Sequence, residues 1–508
     1  MKIALIRTGL VAPVGSVNNE PSPPLGLAYL SSYLKKCGHT TCVIDAMAKG
    51  MDNIVEHEQG YQTTGILADE IIKLIPTDVD AIGFSIMFTH EWIYVRDVIR
   101  DIKLSFPKVT IIAGGEHISA LPKFSMEDCP SIDFCVVGEG EETIGKLLEA
   151  LPNRNLIKEV NGIAYFDNNS NYIVTEPGKR IKEVGQLPYP DWESVPIDIY
   201  FENNISHGAG FGRNIPIMAS RGCPYKCTFC SNVLMWTTRY YIRTVDDVMN
   251  EVTRYVEKYK VDSIQFADLT AILKGSWIIE FSKKIKAKYP NLVWTLPSGT
   301  RSEALNRETL EPMAAAGLKY LVYAPESGSE KTQKEIKKRI SLEKMTSSIK
   351  TAIDLNVPTR CNFIIGFPSE NRLDIYKTIK QALYYSFIGV DETPLFPYQP
   401  YPGTEIFDQL NKDMNMKLDD NYFLALISLS TGNLGVPLKS YNPKISRYEL
   451  YVYRIFALIA TYSISYLAHP SKIMRLIRNI NTDVNATVFE GRLKILIRRF
   501  RLLKPLFR

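Results

Sequence analysis

The chain has 508 residues, 45% of them hydrophobic and 23% charged, with a net charge of +5. That composition fits a folded chain of two to four domains and excludes a disordered polymer, a fibrous repeat or a small disulfide scaffold. The charge is uneven: residues 471–508 hold ten Lys and Arg against Asp483 and Glu490, a surplus of eight, so the rest is near −3 and no nucleic-acid footprint covers it.

Met1-Lys2-Ile3-Ala4-Leu5-Ile6 runs straight into a strand pattern without secretory architecture, and the cysteines outside one cluster are scattered, so a reduced cytoplasm is expected. Through residue 151, apolar runs alternate with amphipathic stretches. Strands are predicted at 2–7, 41–45, 81–85, 110–113 and 134–137, and helices at 25–37, 65–75, 91–105 and 141–151. Such alternation implies an α/β domain with a doubly wound, Rossmann-like parallel sheet. Ligands bind such sheets beyond the carboxyl ends of the strands. Those ends carry Gly83-Phe84-Ser85-Ile86-Met87, Ala113-Gly114-Gly115-Glu116-His117 and Val137-Gly138-Glu139-Gly140-Glu141. Glycines there let backbone approach a ligand; equally, they could simply make the turns of a flavodoxin-like domain.

Residues 152–205 are rich in Pro, Asn and Asp and are expected to be a linker. It holds a small hairpin of 162–166 and 172–174 and a rigid connector, Leu187-Pro188-Tyr189-Pro190-Asp191-Trp192. A second alternation fills 206–404. A strand from Ile215 is followed by helices at 245–259, 275–288, 307–316, 342–355 and 373–385, with strands at 263–266, 292–296, 320–324 and 359–365. Six or so units fall short of an eight-fold closed barrel and fit a partial (β/α)6 barrel, with chemistry at the carboxyl ends of its strands. Residues 405–508 are expected to be mainly helical. Their longest apolar stretch, 455–467, is shorter than the ~20 residues of a membrane span. The last twenty residues mix Leu, Ile and Phe with Arg498, Arg499, Arg501 and Lys504; a basic helix on the protein's own surface is expected rather than membrane contact.

Chemistry enters at Cys223, Cys227 and Cys230, spaced Cys-x-x-x-Cys-x-Phe-Cys. Three thiolates on one loop can hold three irons of a [4Fe–4S] cluster and leave the fourth iron open. A structural zinc site wants four ligands, often as paired Cys-x-x-Cys units, and no second pair exists. The segment from Met218 to Ser231 resembles the radical S-adenosylmethionine (SAM) superfamily, in which the open iron chelates SAM and reductive cleavage gives a 5′-deoxyadenosyl radical.

Pro23-Pro24-Leu25-Gly26-Leu27, then Gly114-Gly115, then Gly138-Glu139-Gly140-Glu141, resemble the cobalamin (B12)-binding domain of cobalamin-dependent radical SAM enzymes. That group includes class B methyltransferases and anaerobic magnesium-protoporphyrin ester cyclases. The resemblance implies cobalamin contacts from Ser85, Gly114, Gly115, Gly138, Glu139 and Gly140. The Asp-x-His-x-x-Gly motif is absent, so the lower face of cobalt is expected to lack that histidine; His117 reads as a hydrogen-bonding loop residue rather than a ligand. The resemblance also implies SAM contacts from Asp268, Arg301, Glu326, Ser327 and the Gly366 segment. Its implied reaction is hydrogen abstraction from a small molecule and methyl transfer from methylcobalamin to an unactivated centre, with flavodoxin or ferredoxin as electron donor. Oxidative cyclisation, radical rearrangement and a non-enzymatic cobalamin or iron–sulfur sensor are the alternatives.

Overall fold

The computed structural model describes residues 1–16, 21–270, 272–301, 304–427, 439–482 and 484–503. Five parallel strands form the first sheet's core, in the spatial order Thr40–Asp45, Lys2–Arg7, Ala81–Ser85, Thr110–Gly114, Phe134–Val136. The order reverses between Lys2–Arg7 and Ala81–Ser85. A doubly wound sheet opens a crevice at that switch point, outside the strands' carboxyl ends.

The expected linker hairpin belongs to this sheet. Ile163–Phe166 pairs antiparallel with Phe134–Val136 and carries Tyr172–Val174 outside it. Leu10–Pro13, Ile54–Glu56 and Tyr61–Thr64 form a small antiparallel sheet that alternation did not announce. It shortens the helix predicted at 65–75 to Ala68–Leu74, because the chain must first leave the strand ending at Thr64.

The second sheet has six parallel strands in chain order: Asn214–Ile217, Ser263–Phe266, Val293–Thr300, Leu318–Glu326, Thr359–Ile365 and Leu395–Pro397. The third and fourth run past their predicted ends. Pairing slips beyond Leu296 and beyond Tyr323, where Pro297 and Pro325 lack an N–H to donate. Phe266, Phe281 and Trp294 pack edge to face at 5.4–5.7 Å beneath this sheet. Trp294 is a core residue whose Nε1 donates to the Ala316 carbonyl at 3.0 Å.

The C-terminal region is helical and reaches back. Phe423 and Leu426 of Asp420–Leu426 join the first domain's core, and Asp420 accepts two bonds from Arg96 at 2.6 and 2.8 Å.

The two sheets are tied by one buried ionic node. Arg221, two residues before Cys223, donates to Glu139 Oε1 and to Glu141 Oε1, both at 2.6 Å. Arg180 donates to Glu139 Oε2 at 2.9 Å. The Arg221 and Glu139 side chains are each 2% exposed. Removing one partner of such a group strands the other's charge away from water. Arg221→Ala is expected to lower stability to urea by about 3–5 kcal/mol. Arg254→Ala, at an exposed pair with Glu193, should cost no more than about 1 kcal/mol. Equal losses in the two variants would refute the node.

Candidate functional site

The cluster loop is held in place before it reaches its cysteines. Asp268, at the end of strand Ser263–Phe266, accepts from Ala219 N at 3.1 Å and from Ser220 Oγ. Burial lifts its carboxyl to about 6, against those bonds. Its expected SAM contact is thus replaced by a bracing role at the start of the loop. Gly222 follows with φ of +88°, and a Cβ there would lie 2.1 Å from the Arg239 carbonyl oxygen, so only glycine fits. Arg301 sits 3.5 Å over the ring of Tyr225 and donates to the carbonyls of Lys338 and Arg339 at 2.7 and 3.0 Å.

Cys223 and Cys227 are half-buried, and Cys230 is exposed, lining an open pocket. Cys129, Cys135 and Cys361 are buried. Burial pushes the Cys230 thiol up to about 12, opposed by the Asn232 N–H and helped by Cys227, Glu116 and Cys223. A metal bound there would displace that proton. Among the described residues no three His, Cys, Asp or Glu side chains close on a point one metal ion could fill. Three thiol sulfurs are the kind of donor an iron–sulfur cluster takes.

Glu326 stands at the end of strand Leu318–Glu326 with φ of +61° and pairs with buried Lys338 at 2.8 Å. A left-handed non-glycine residue is costly, and such strain gathers at ligand sites. Ser327 departs from expectation. It is fully buried, bonded to Thr378 Oγ1 at 2.9 Å and to Ser329 N, so it locks the loop to helix Arg372–Ile388 and is closed to a ligand. Gly366 N and Phe367 N donate to Glu370 at 2.7 and 3.1 Å, and Phe367 packs edge-on against Phe229 of the cluster loop.

In the first domain, Ser85 pairs with Gly114 across adjacent strands, and Gly115 backs onto the Ile86 carbonyl. Gly138 N donates to Ser119 Oγ at 2.9 Å, and Gly140 precedes helix Glu141–Ala150. Glu139 also departs from the expected cobalamin contact, since both of its oxygens serve the interdomain node. His117 is fully buried, stacked on Trp92 at 4.8 Å, with burial pushing it down to about 3. It does not line the cavity.

That pocket, of about 330 Å³, lies between the two domains and is open to solvent on one side. Met87, Phe88 and Thr89 line it from the switch-point loop and Glu116 from the next loop. Phe229, Cys230 and Ser231 come from the cluster loop, and Ile364, Tyr398 and Gln399 from the end of the barrel. Ser231 Oγ donates to Glu116, whose carboxyl burial pushes upward. Met87 and Phe88 are 40% and 53% exposed, an apolar wall suited to a large flat ligand. Gln399 is 3% exposed, yet neither atom of its amide has a partner among the described residues; nor has the Tyr398 hydroxyl. Buried amides are normally satisfied. Sequence reading missed Gln399 because nothing local marks it. It also passed over His90 beside the switch point, whose buried Nδ1 is likewise unpartnered.

Comparison with known proteins agrees with this geometry. The profile of the Radical SAM superfamily matches residues 217–382, and that of the B12 binding domain matches residues 12–148. An uncharacterized methyltransferase of Pyrococcus horikoshii is 29% identical over 409 residues, covering 80% of this chain and 83% of that one. The cytidylyl-2-hydroxyethylphosphonate methyltransferase of Streptomyces wedmorensis is 29% identical over 415 residues, 75% of this chain and 77% of that one. The structure of the radical S-adenosylmethionine methyltransferase TsrM from Kitasatospora setae, with tryptophan substrate and a SAM analogue bound, superposes with a TM-score of 0.64 at 13% identity, over 95% of this chain and all of that one.

Two outcomes test the site. Gln399→Leu should raise the ligand-free protein's stability to urea by about 1–3 kcal/mol, because it removes an unsatisfied buried amide; a loss of stability would show that the amide is already paired. Burial lifts Glu370 from the ordinary carboxylate range to about 7. Its contribution to stability is full below pH 4.5 and fades as pH rises through 7. Between pH 5 and pH 8, wild type should therefore lose up to about 3 kcal/mol relative to Glu370→Gln in urea titrations. An unchanged difference would refute the shift.

Proposed function

We propose that this chain, a radical SAM enzyme with a B12-binding domain ahead of its barrel, transfers a methyl group from cobalamin to an unactivated centre of a small molecule. The observation that carries the reading is the shared cavity: one wall belongs to the cobalamin-type switch point and another to the cluster loop, with Cys230 on it. A molecule held there would meet both cofactors. Bound there, the cluster and SAM would supply a hydrogen-abstracting radical and cobalamin a transferable methyl group, a division of labour in which the protein places and shields.

The chain's own residues fit those tasks. Cys223, Cys227 and Cys230 would hold the cluster. Glu326, with Lys338 beside it, and the Gly366 segment would meet SAM, while Asp268 and Arg301 keep the cluster loop and Tyr225 in position. The loops at Ser85, Gly114, Gly138 and Gly140, with Met87 and Phe88, would lie along the corrin. Cobalt's lower face would have no ligand from His117. Tyr398 and Gln399 would orient the substrate, and Phe88, Phe229 and Tyr401 would exclude water from a reactive intermediate. A flavodoxin- or ferredoxin-type donor would supply the electron. The two relatives named for methyl transfer favour this outcome over oxidative cyclisation.

Anaerobic reconstitution tests the assignment. The Cys223, Cys227 and Cys230 triple alanine variant should lose its iron while keeping the cobalamin absorbance of wild type. With substrate, wild type should form 5′-deoxyadenosine and S-adenosylhomocysteine together. Deoxyadenosine over many turnovers without S-adenosylhomocysteine would replace methyl transfer by cyclisation or rearrangement.

A further inference from the structure

Two successive C-terminal helices present apolar side chains outward and polar ones inward. In Arg447–Ala468 the exposed stripe is Tyr448, Val452, Phe456, Ile459 and Leu467. From Tyr448 to Ile459 these positions recur every three or four residues, and Leu467 follows about two turns on, so they lie along one side of the helix, about 33 Å long. The inner face carries Arg454, Thr461 and Ser465 with Leu450 and Ala457. In Ser471–Asn479, Ile473, Met474 and Ile477 are exposed, and Lys472 and Asn479 are buried. A surface helix of a water-soluble protein shows the opposite arrangement.

The reversal is fixed by hydrogen bonds. Lys472 Nζ donates to the carbonyls of Gly389 and Val390 at 2.8 and 2.9 Å and to Ser465 Oγ at 2.8 Å. Asn479 Nδ2 donates to Glu490 at 2.9 Å. Rolling either helix to hide its apolar side would break these bonds. The adjacent helix, Arg372–Ile388, widens the face. Arg372 pairs with Glu449 at one end and His469 meets the Phe387 carbonyl at the other, so the two helices lie side by side and parallel. Its exposed side shows Leu373, Tyr376, Tyr384 and Phe387. Large exposed apolar side chains grouped on adjoining helices mark an interaction site.

Charge identifies the occupant. Lys377, Lys380 and Arg478 are exposed on or beside these stripes. An apolar stripe with cations around it matches a bilayer surface bearing anionic headgroups. Arg447–Ala468 is long and apolar enough to cross a membrane by length and composition. Its inner face is tied to the barrel, which leaves it lying along the surface. We propose that these helices dock the enzyme on an anionic lipid surface, the apolar stripe entering the boundary between headgroups and acyl chains. The docking element is then this face rather than the basic tail alone.

Flotation of the reconstituted full-length protein with vesicles decides the matter, using phosphatidylcholine with and without phosphatidylglycerol. Wild type should float with the anionic vesicles, less so at high salt. The triple variant Val452→Ser, Phe456→Ser, Ile459→Ser changes exposed side chains only. It should keep the wild-type melting curve and bind about tenfold or more weakly. Failure of wild type to bind, or unchanged binding by the variant, would overturn the proposal. So would a wild-type dimer that the variant dissolves while neither form binds vesicles, which would make the face an interface between copies.

Discussion

Arg221 is the constraint on which the rest of the structure depends. A guanidinium with 2% exposure is tolerable only when both of its carboxylates are in place. Those carboxylates, Glu139 and Glu141, follow strand Phe134–Val136 of the first sheet, and Arg221 itself begins the cluster loop. The loop's native path therefore depends on the docked first domain. Tyr29 and Trp236, at 4.9 and 5.6 Å from the guanidinium, add aromatic faces from both sides of the junction. The glutamates of Gly138-Glu139-Gly140-Glu141 thus act in assembly, while the glycines between them shape the turn.

From that junction the cavity follows. The switch point of a doubly wound sheet is a crevice with one open side. Here the cluster loop and the barrel's last strands narrow that side, so Met87, Phe88, Cys230 and Gln399 line one shared pocket. The barrel half is stiffened around it by bonds that spend most of the available polar groups. Asp268 braces Ala219 and Ser220, Glu370 braces Gly366 and Phe367, and Ser327 braces Thr378. The amides of Gln399 and of Asn232, beside the cluster loop, have no partner among the described residues, and buried amides normally find one.

Much of this architecture was legible in the chain. Alternating apolar and amphipathic stretches disclosed both parallel sheets, because crossover topology leaves its period in the sequence. The small sheet at 10–64 was not legible, since three- and four-residue strands carry too few positions to show alternation. The bulged ends of the third and fourth barrel strands were hidden for a different reason. Pro297 and Pro325 read locally as breaks, yet neighbouring strands hold the backbone extended past them.

The sequence by itself determined the three cysteines, their loop and the order of the two α/β units, because ligand spacing and hydrophobic period are properties of near neighbours. Tertiary structure alone decided which groups work and which only hold. Glu139 and Arg221 are separated by 82 residues, and Tyr200 meets Asp45 across 155, distances over which a sequence carries no signal of contact. It also decided which side of Arg447–Ala468 faces out. That helix is apolar on much of its circumference, so its period does not choose a face; the choice is made by Lys472 and Ser465, whose polar atoms find their partners only against the barrel.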